Sequence, residues 1–425
     1  MPRAERSVED AQPGGDRQRT NRKPLCQRPR KPEEEGHRGR RGCYVGRMAP
    51  NPPRPTASFP PRLLLGPGPS NVHPSVLEAM AQPLVGHLDP LFLELLDSIQ
   101  DSLRTIFGTE NRFTLPLSAT GSAGMEACLV NLLQRGETLL VGVNGVFGGR
   151  MAEVATRAGA HVIRVEAPWG EPLDERAMLD AIDHHRPDVV AFVHAETSTG
   201  VHQEPEAIAQ AAREVGAYVV LDCVTSLSGI PIELDRWGID ACYSGTQKCL
   251  SCPPGLSPIS FSERALERVR ARKQPVQSWY LDVSLLDGYY GGERVYHHTA
   301  PISALFGLAE ALRRVEDEGQ SARTARHQAA AKALIEGVQP LGFEPLVSAP
   351  HRLPMLTTLR LPETVTAQGE AQLRRRLLDH HDIEVGGGLG ALAGQVWRIG
   401  LMGENARIEA VNQLIQALSV ELKAL

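Results

Sequence analysis

Four short stretches of this 425-residue chain carry side chains able to do chemistry. The first, Ser118-Ala119-Thr120-Gly121-Ser122-Ala123-Gly124-Met125-Glu126, is small and hydroxyl-rich and opens an amphipathic run. Free N–H groups at a helix start, beside hydroxyls and glycines that admit close approach, make a phosphate cradle. The Gly-Lys-Ser/Thr ending of a P-loop is missing, and a bare turn of this kind is ordinarily only a cap. The second is an apolar run, Tyr218–Leu221, leading into Asp222 and then Val224, Thr225 and Ser226. An acid just past the carboxyl end of a parallel strand stands where α/β proteins bind ligands, although Asp there also serves as a turn or cap. The third is Tyr243-Ser244-Gly245-Thr246-Gln247-Lys248, whose lysine lies 26 residues beyond Asp222. A lysine among small polar residues at the end of an apolar stretch suits Schiff-base chemistry; most single lysines are surface charges. The fourth is Trp397-Arg398-Ile399-Gly400. An arginine inside an apolar strand needs an anion, and its fork fits a carboxylate, either a ligand's or that of a structural salt bridge.

Elements must hold these stretches in place. From Leu63 onward, short apolar runs alternate with amphipathic helices, the pattern of an α/β protein with a mostly parallel sheet. Leu139–Val143, Val189–Val193 and Tyr218–Leu221 are strand candidates. Met125, Cys128, Leu129 and Leu132 keep helical spacing, as do Ile208, Ala211, Ala212 and Val215, with Gly216 as a stop. A helix over Ile302–Val315 precedes a different texture, with strands at Leu356–Leu361 and Val396–Ile399. A final helix follows through Ile408, Val411, Ile415, Leu418 and Leu422. The expected organisation is a large domain at 61–318 and a smaller α+β domain at 319–425, without internal repeats.

Composition narrows the classes. Apolar residues make up 42% and charged residues 22%, enough for a sizeable core. No apolar run reaches the roughly 18 residues of a membrane helix. Seven scattered cysteines suit a reducing compartment, and a cytoplasmic location is expected. Residues 1–48 carry 13 Lys/Arg against 7 Asp/Glu, a net +6, whereas 49–425 carry 32 against 43, a net −11. The acidic body is a poor nucleic-acid binder. Residues 1–60, rich in Arg, Pro, Gly and Glu, are expected to be a disordered basic tail. The tail lacks the apolar stretch of a secretory signal, and Glu33, Glu34 and Glu35 do not suit a mitochondrial presequence. A basic arm for nucleic acid is one reading; the preferred one is that translation begins at Met48.

The chemistry-bearing stretches, with GPGPSNVHP (66–74), HAETSTGV (194–201), the run 221–255, YHHTAP (296–301) and GGLG (387–390), resemble the class V aminotransferases. These are fold-type I enzymes that use pyridoxal 5′-phosphate (PLP), and the likeness is greatest to alanine–glyoxylate and serine–pyruvate aminotransferases. It runs from about residue 63 to the end. The resemblance implies that Lys248 binds PLP covalently and moves the substrate proton, while Asp222 pairs with the ring nitrogen. It puts Val224 on one ring face and Phe147 on the other, where the family often has Trp. Thr120, Gly121, Ser122 and Gln247 would hold the phosphate, joined by Tyr296 and Thr299 from the second subunit of a homodimer. Thr197 would lie near the phenolic oxygen, and Arg398 would bind the substrate α-carboxylate. The implied reaction is ping-pong transamination between a small amino acid, alanine or serine, and a 2-oxo acid, glyoxylate or pyruvate.

Other features weigh less. Cys249-x-x-Cys252 has metal or redox spacing but no second pair, so no metal is expected. The pairs His184/His185 and His380/His381 read as solvated, and His297/His298 as structural. Ser122 stands where some relatives have histidine. The alternatives are other class V chemistry (a phosphonate aminotransferase, a desulfurase or a kynureninase) or a silent PLP-binding scaffold. Desulfuration would need a cysteine in a distant mobile loop.

Overall fold

The computed structural model describes residues 59–365 and 367–424; the expectations for the basic tail and for a start at Met48 lie outside the described residues. Seven strands form the large sheet in the order Phe113–Leu117, Ser257–Phe261, Ala241–Tyr243, Tyr218–Asp222, Val189–Val193, Thr138–Val143 and His161–Glu166. Only Ser257–Phe261 runs antiparallel to its neighbours; every other adjacent pair is parallel. All five residues of Val189–Val193 are buried. A strand covered on both faces must be apolar throughout, which is why this run is legible in the sequence. Pro116, which cannot donate to a ladder, sits on the edge strand.

Helices cover the sheet and carry the loops of the site. Gly121–Leu132 packs on Tyr218–Asp222, Ala241–Tyr243 and Ser257–Phe261, and Val146–Ala158 packs on Thr138–Val143. The helix Glu206–Glu214 stops where expected, with Gly216 at φ 84°. A second sheet is ordered Leu63–Leu65, Ile383–Gly387, Val396–Gly400, Leu356–Arg360, Glu344–Pro345. The final helix, Ile408–Glu421, closes a separate core containing Leu334, Phe343, Leu373, Trp397 and Leu414. Leu63–Leu65 pairs in parallel with Ile383–Val385, so the first described strand belongs to the C-terminal sheet. Among the described residues no helix is long and apolar enough to cross a membrane.

Candidate active site

Asp222 is the last residue of its strand rather than one past it, in register with Val193 and Tyr243. Its carboxylate accepts hydrogen bonds from the Tyr243 hydroxyl (2.6 Å) and the Val224 N–H (2.8 Å), and the residue is 2% exposed. Burial pushes its pKa up to about 7; the two hydrogen bonds and the Lys248 charge oppose this, while Glu196 adds to it. A carboxyl in this state is stabilised as an anion by a cationic N–H donor, which a protonated pyridine ring would supply.

The helix Gly121–Leu132 begins beside it. Thr120 caps that helix in extended conformation without a side-chain bond to it, and the Thr120 and Ser122 side chains are exposed. A Cβ on Gly121 would come within 3.2 Å of the Ser244 carbonyl, 3.4 Å of Val224 Cγ2 and 3.7 Å of Gly245 Cα. The first and third sequence stretches therefore touch, and a glycine is what lets them. Gln247 is half-buried in the same turn, which is clamped from outside: the Ser70 N–H donates to Gln247 O and the Ser70 hydroxyl to Lys248 O, both at 2.9 Å. The N-terminal dipole, the two hydroxyls and the Gln247 amide are donors of the kind that can hold a phosphate.

Lys248 is 9% exposed; of the four described lysines it alone is buried. Its ammonium donates to the Pro67 carbonyl, and Gly68, at φ 103°, leaves the space in which a Cβ would lie 2.7 Å from Nζ. Burial lowers its pKa to about 8, helped by the Arg398 charge. Arg398, from the strand Val396–Gly400, donates to the carbonyls of Gly387 (2.9 Å) and Thr197 (3.2 Å). Among the described residues no carboxylate lies within salt-bridge reach of it, although it is 6% exposed. The Thr197 hydroxyl meets that of Thr225, and Phe147 is half-buried at the start of helix Val146–Ala158.

Tyr296 and Thr299 stand apart. Both are exposed, their hydroxyls 3.4 Å from each other, and the Tyr296 ring lies 5.4 Å from that of His87. Next to them His298 pairs with the Ser118 hydroxyl at 2.7 Å, which lays this segment beside the turn that leads into helix Gly121–Leu132. Three residues with a part in the site were not singled out from sequence: Tyr243, Pro67 and Glu196. All three occur inside stretches quoted above, but the partner of Tyr243, Asp222, comes from another strand, and Glu196 finds partners on the helix Val146–Ala158 as well as in Ser198. Cys249 and Cys252 are free and buried, with thiols pushed up by burial to about 11 and about 12. A cavity of about 620 Å³, lined by His194, Trp237 and Leu353 among others, contains none of the predicted site residues.

Known proteins resemble this chain over most of its length. Residues 63–408 match the family described as aminotransferase class-V. An alanine–glyoxylate aminotransferase of Drosophila melanogaster is 39% identical over 370 residues, covering 86% of this chain and 93% of that one. An (S)-ureidoglycine–glyoxylate transaminase of Bacillus subtilis is 35% identical, covering 85% and 91%. The crystal structure of an alanine–glyoxylate aminotransferase from Nostoc sp. is similar at a TM-score of 0.84 and 49% identity, covering 86% and 97%.

Proposed function

The chain belongs to the class V aminotransferases, PLP-dependent enzymes that exchange an amino group between amino and keto acids, and from that premise we propose a small donor, alanine or serine, with glyoxylate or pyruvate as acceptor. When bound, PLP supplies an aldehyde that takes up the amino group and a ring that accepts electrons from the substrate Cα–H bond. The chain's own residues do the rest. Thr120, Gly121, Ser122 and Gln247 hold the phosphate, Asp222 receives the ring N–H, Val224 and Phe147 bound the ring faces, and Thr197 lies by the phenolic oxygen. Lys248 would hold the cofactor through Nζ, and the same amine, once free, would take up and give back the proton of the substrate Cα. Arg398 binds the α-carboxylate with its fork.

One observation carries the reading: Lys248 and Arg398 are both buried, and both donate to main-chain carbonyls with no carboxylate paired to Arg398. A buried guanidinium with no ion-paired carboxylate is costly, and a carboxylate-bearing substrate would supply that pair. Glyoxylate is favoured because the relatives named above share it; the Bacillus likeness also adds (S)-ureidoglycine to the donors worth testing. Cys249 and Cys252 lie buried directly after Lys248 rather than in a distant loop, which speaks against a desulfurase. The exposed Tyr296 and Thr299 support a homodimer in which they complete the partner's phosphate site. The five cysteines among the described residues, all free and buried, support a cytoplasmic location. A donor–acceptor panel tests the proposal: alanine or serine with glyoxylate should turn over fastest. Turnover confined to cysteine, kynurenine or an aminophosphonate would refute it.

A further inference from the structure

Glu196 is fully buried in a short hairpin, Ala195–Glu196 paired with Val201–His202. Its carboxylate is surrounded by donors. Oε1 accepts from the Ser198 N–H (2.9 Å) and hydroxyl (2.6 Å), and Oε2 accepts from the Phe147 N–H (3.1 Å), with the Gly148 N–H beside it. Ser198 Oγ in turn accepts from the Val146 N–H at 2.9 Å. The first three N–H groups of helix Val146–Ala158 are thus satisfied from another part of the chain, the helix having no cap of its own. Gly145 permits this approach: a Cβ there would lie 2.4 Å from Ser198 Oγ and 2.5 Å from Glu196 Cδ. Only an acceptor-only group fits, since an amide would turn N–H donors on donors.

We propose that Glu196 is a positioning residue that locks the first turn of this helix from the hairpin and so holds the Phe147 ring against the cofactor plane. The inference rests on Phe147 as a ring-facing residue, and one hairpin then serves two ends of the site, since Thr197 follows Glu196 directly and its carbonyl holds Arg398. The test uses holoenzyme carrying Glu196→Gln, Phe147→Ala or both, reading the visible circular dichroism of the bound cofactor and the PLP dissociation constant. Each single change should weaken that dichroism and raise the dissociation constant roughly 3- to 10-fold, the scale of one lost aromatic stack. The double variant should be no worse than Phe147→Ala alone, because both act through one ring. Wild-type dichroism and affinity in Glu196→Gln, with Phe147→Ala altered, would overturn the proposal; so would effects that multiply in the double variant. A silent Phe147→Ala would overturn its premise as well. Should Glu196→Gln not fold, Ser198→Ala, which removes the hydroxyl bridge to Val146, must move both readouts the same way by less; if it moves only the melting temperature, the proposal fails.

Discussion

Arg398 uses two of its N–H directions on main-chain carbonyls, and on the proposed reading the others receive the substrate carboxylate. Lysine offers one compact charge and cannot copy the fork. Arg398→Lys should therefore lower kcat/KM for every donor and acceptor alike by on the order of 10- to 100-fold, the equivalent of about 1.5–3 kcal/mol. Melting temperature and PLP affinity should hold; a stability defect with normal kinetics would mark Arg398 as structural. For Lys248, burial brings the pKa to about 8, so the neutral, nucleophilic amine accumulates as pH rises through that value. The rate at which apoprotein captures PLP covalently should climb to about pH 8 and then flatten. An ordinary lysine would keep climbing toward about 10.4. Asp222→Asn, in turn, should preserve the fold yet lower turnover and cofactor affinity, since an amide cannot hold the ring proton; near-normal values for both would remove that role. These three residues were legible in the sequence because each is a charge set in an apolar context. Glu196 and Tyr243 were not, because their function consists of hydrogen bonds to main chain or side chains that only the fold brings near.

Among the elements, the helix Gly121–Leu132 is the one whose start the proposal places at the cofactor phosphate, and its seat is narrow. A Cβ on Gly124 would lie 2.1 Å from Ser257 Oγ and 3.1 Å from Tyr243 Cβ. Gly124→Ala should cost about 1–3 kcal/mol of stability and loosen PLP, because the helix start must shift off the strands beneath it. Gly292→Ala, at a position open to solvent, should do neither; thermal melts and PLP titration of the pair check this. The runs Val189–Val193 and Tyr218–Asp222 could be read from sequence because they are buried on both faces. Ser257–Phe261 could not, since Ser and Pro alternate with its apolar residues. Nor could the pairing of Leu63 with Ile383, where no local pattern reports a partner so distant in sequence.

At the scale of the whole molecule, the proposed homodimer is tested at Tyr296 and Thr299. If they complete a partner's phosphate site, Tyr296→Ala/Thr299→Ala should weaken PLP binding, and so should Lys248→Ala. Mixing the two proteins under exchange conditions should restore tight binding in one site of each hybrid; no recovery on mixing, with exchange verified, would argue that the residues act within their own chain. Deleting residues 1–47 should leave activity and melting temperature unchanged, because that composition offers no core. The account as a whole stands on Lys248, one of six lysines in the chain. Borohydride reduction of the PLP-loaded protein, followed by peptide mapping, should place a single pyridoxyl group on the peptide containing Lys248. Label on any other lysine, or none, would contradict it.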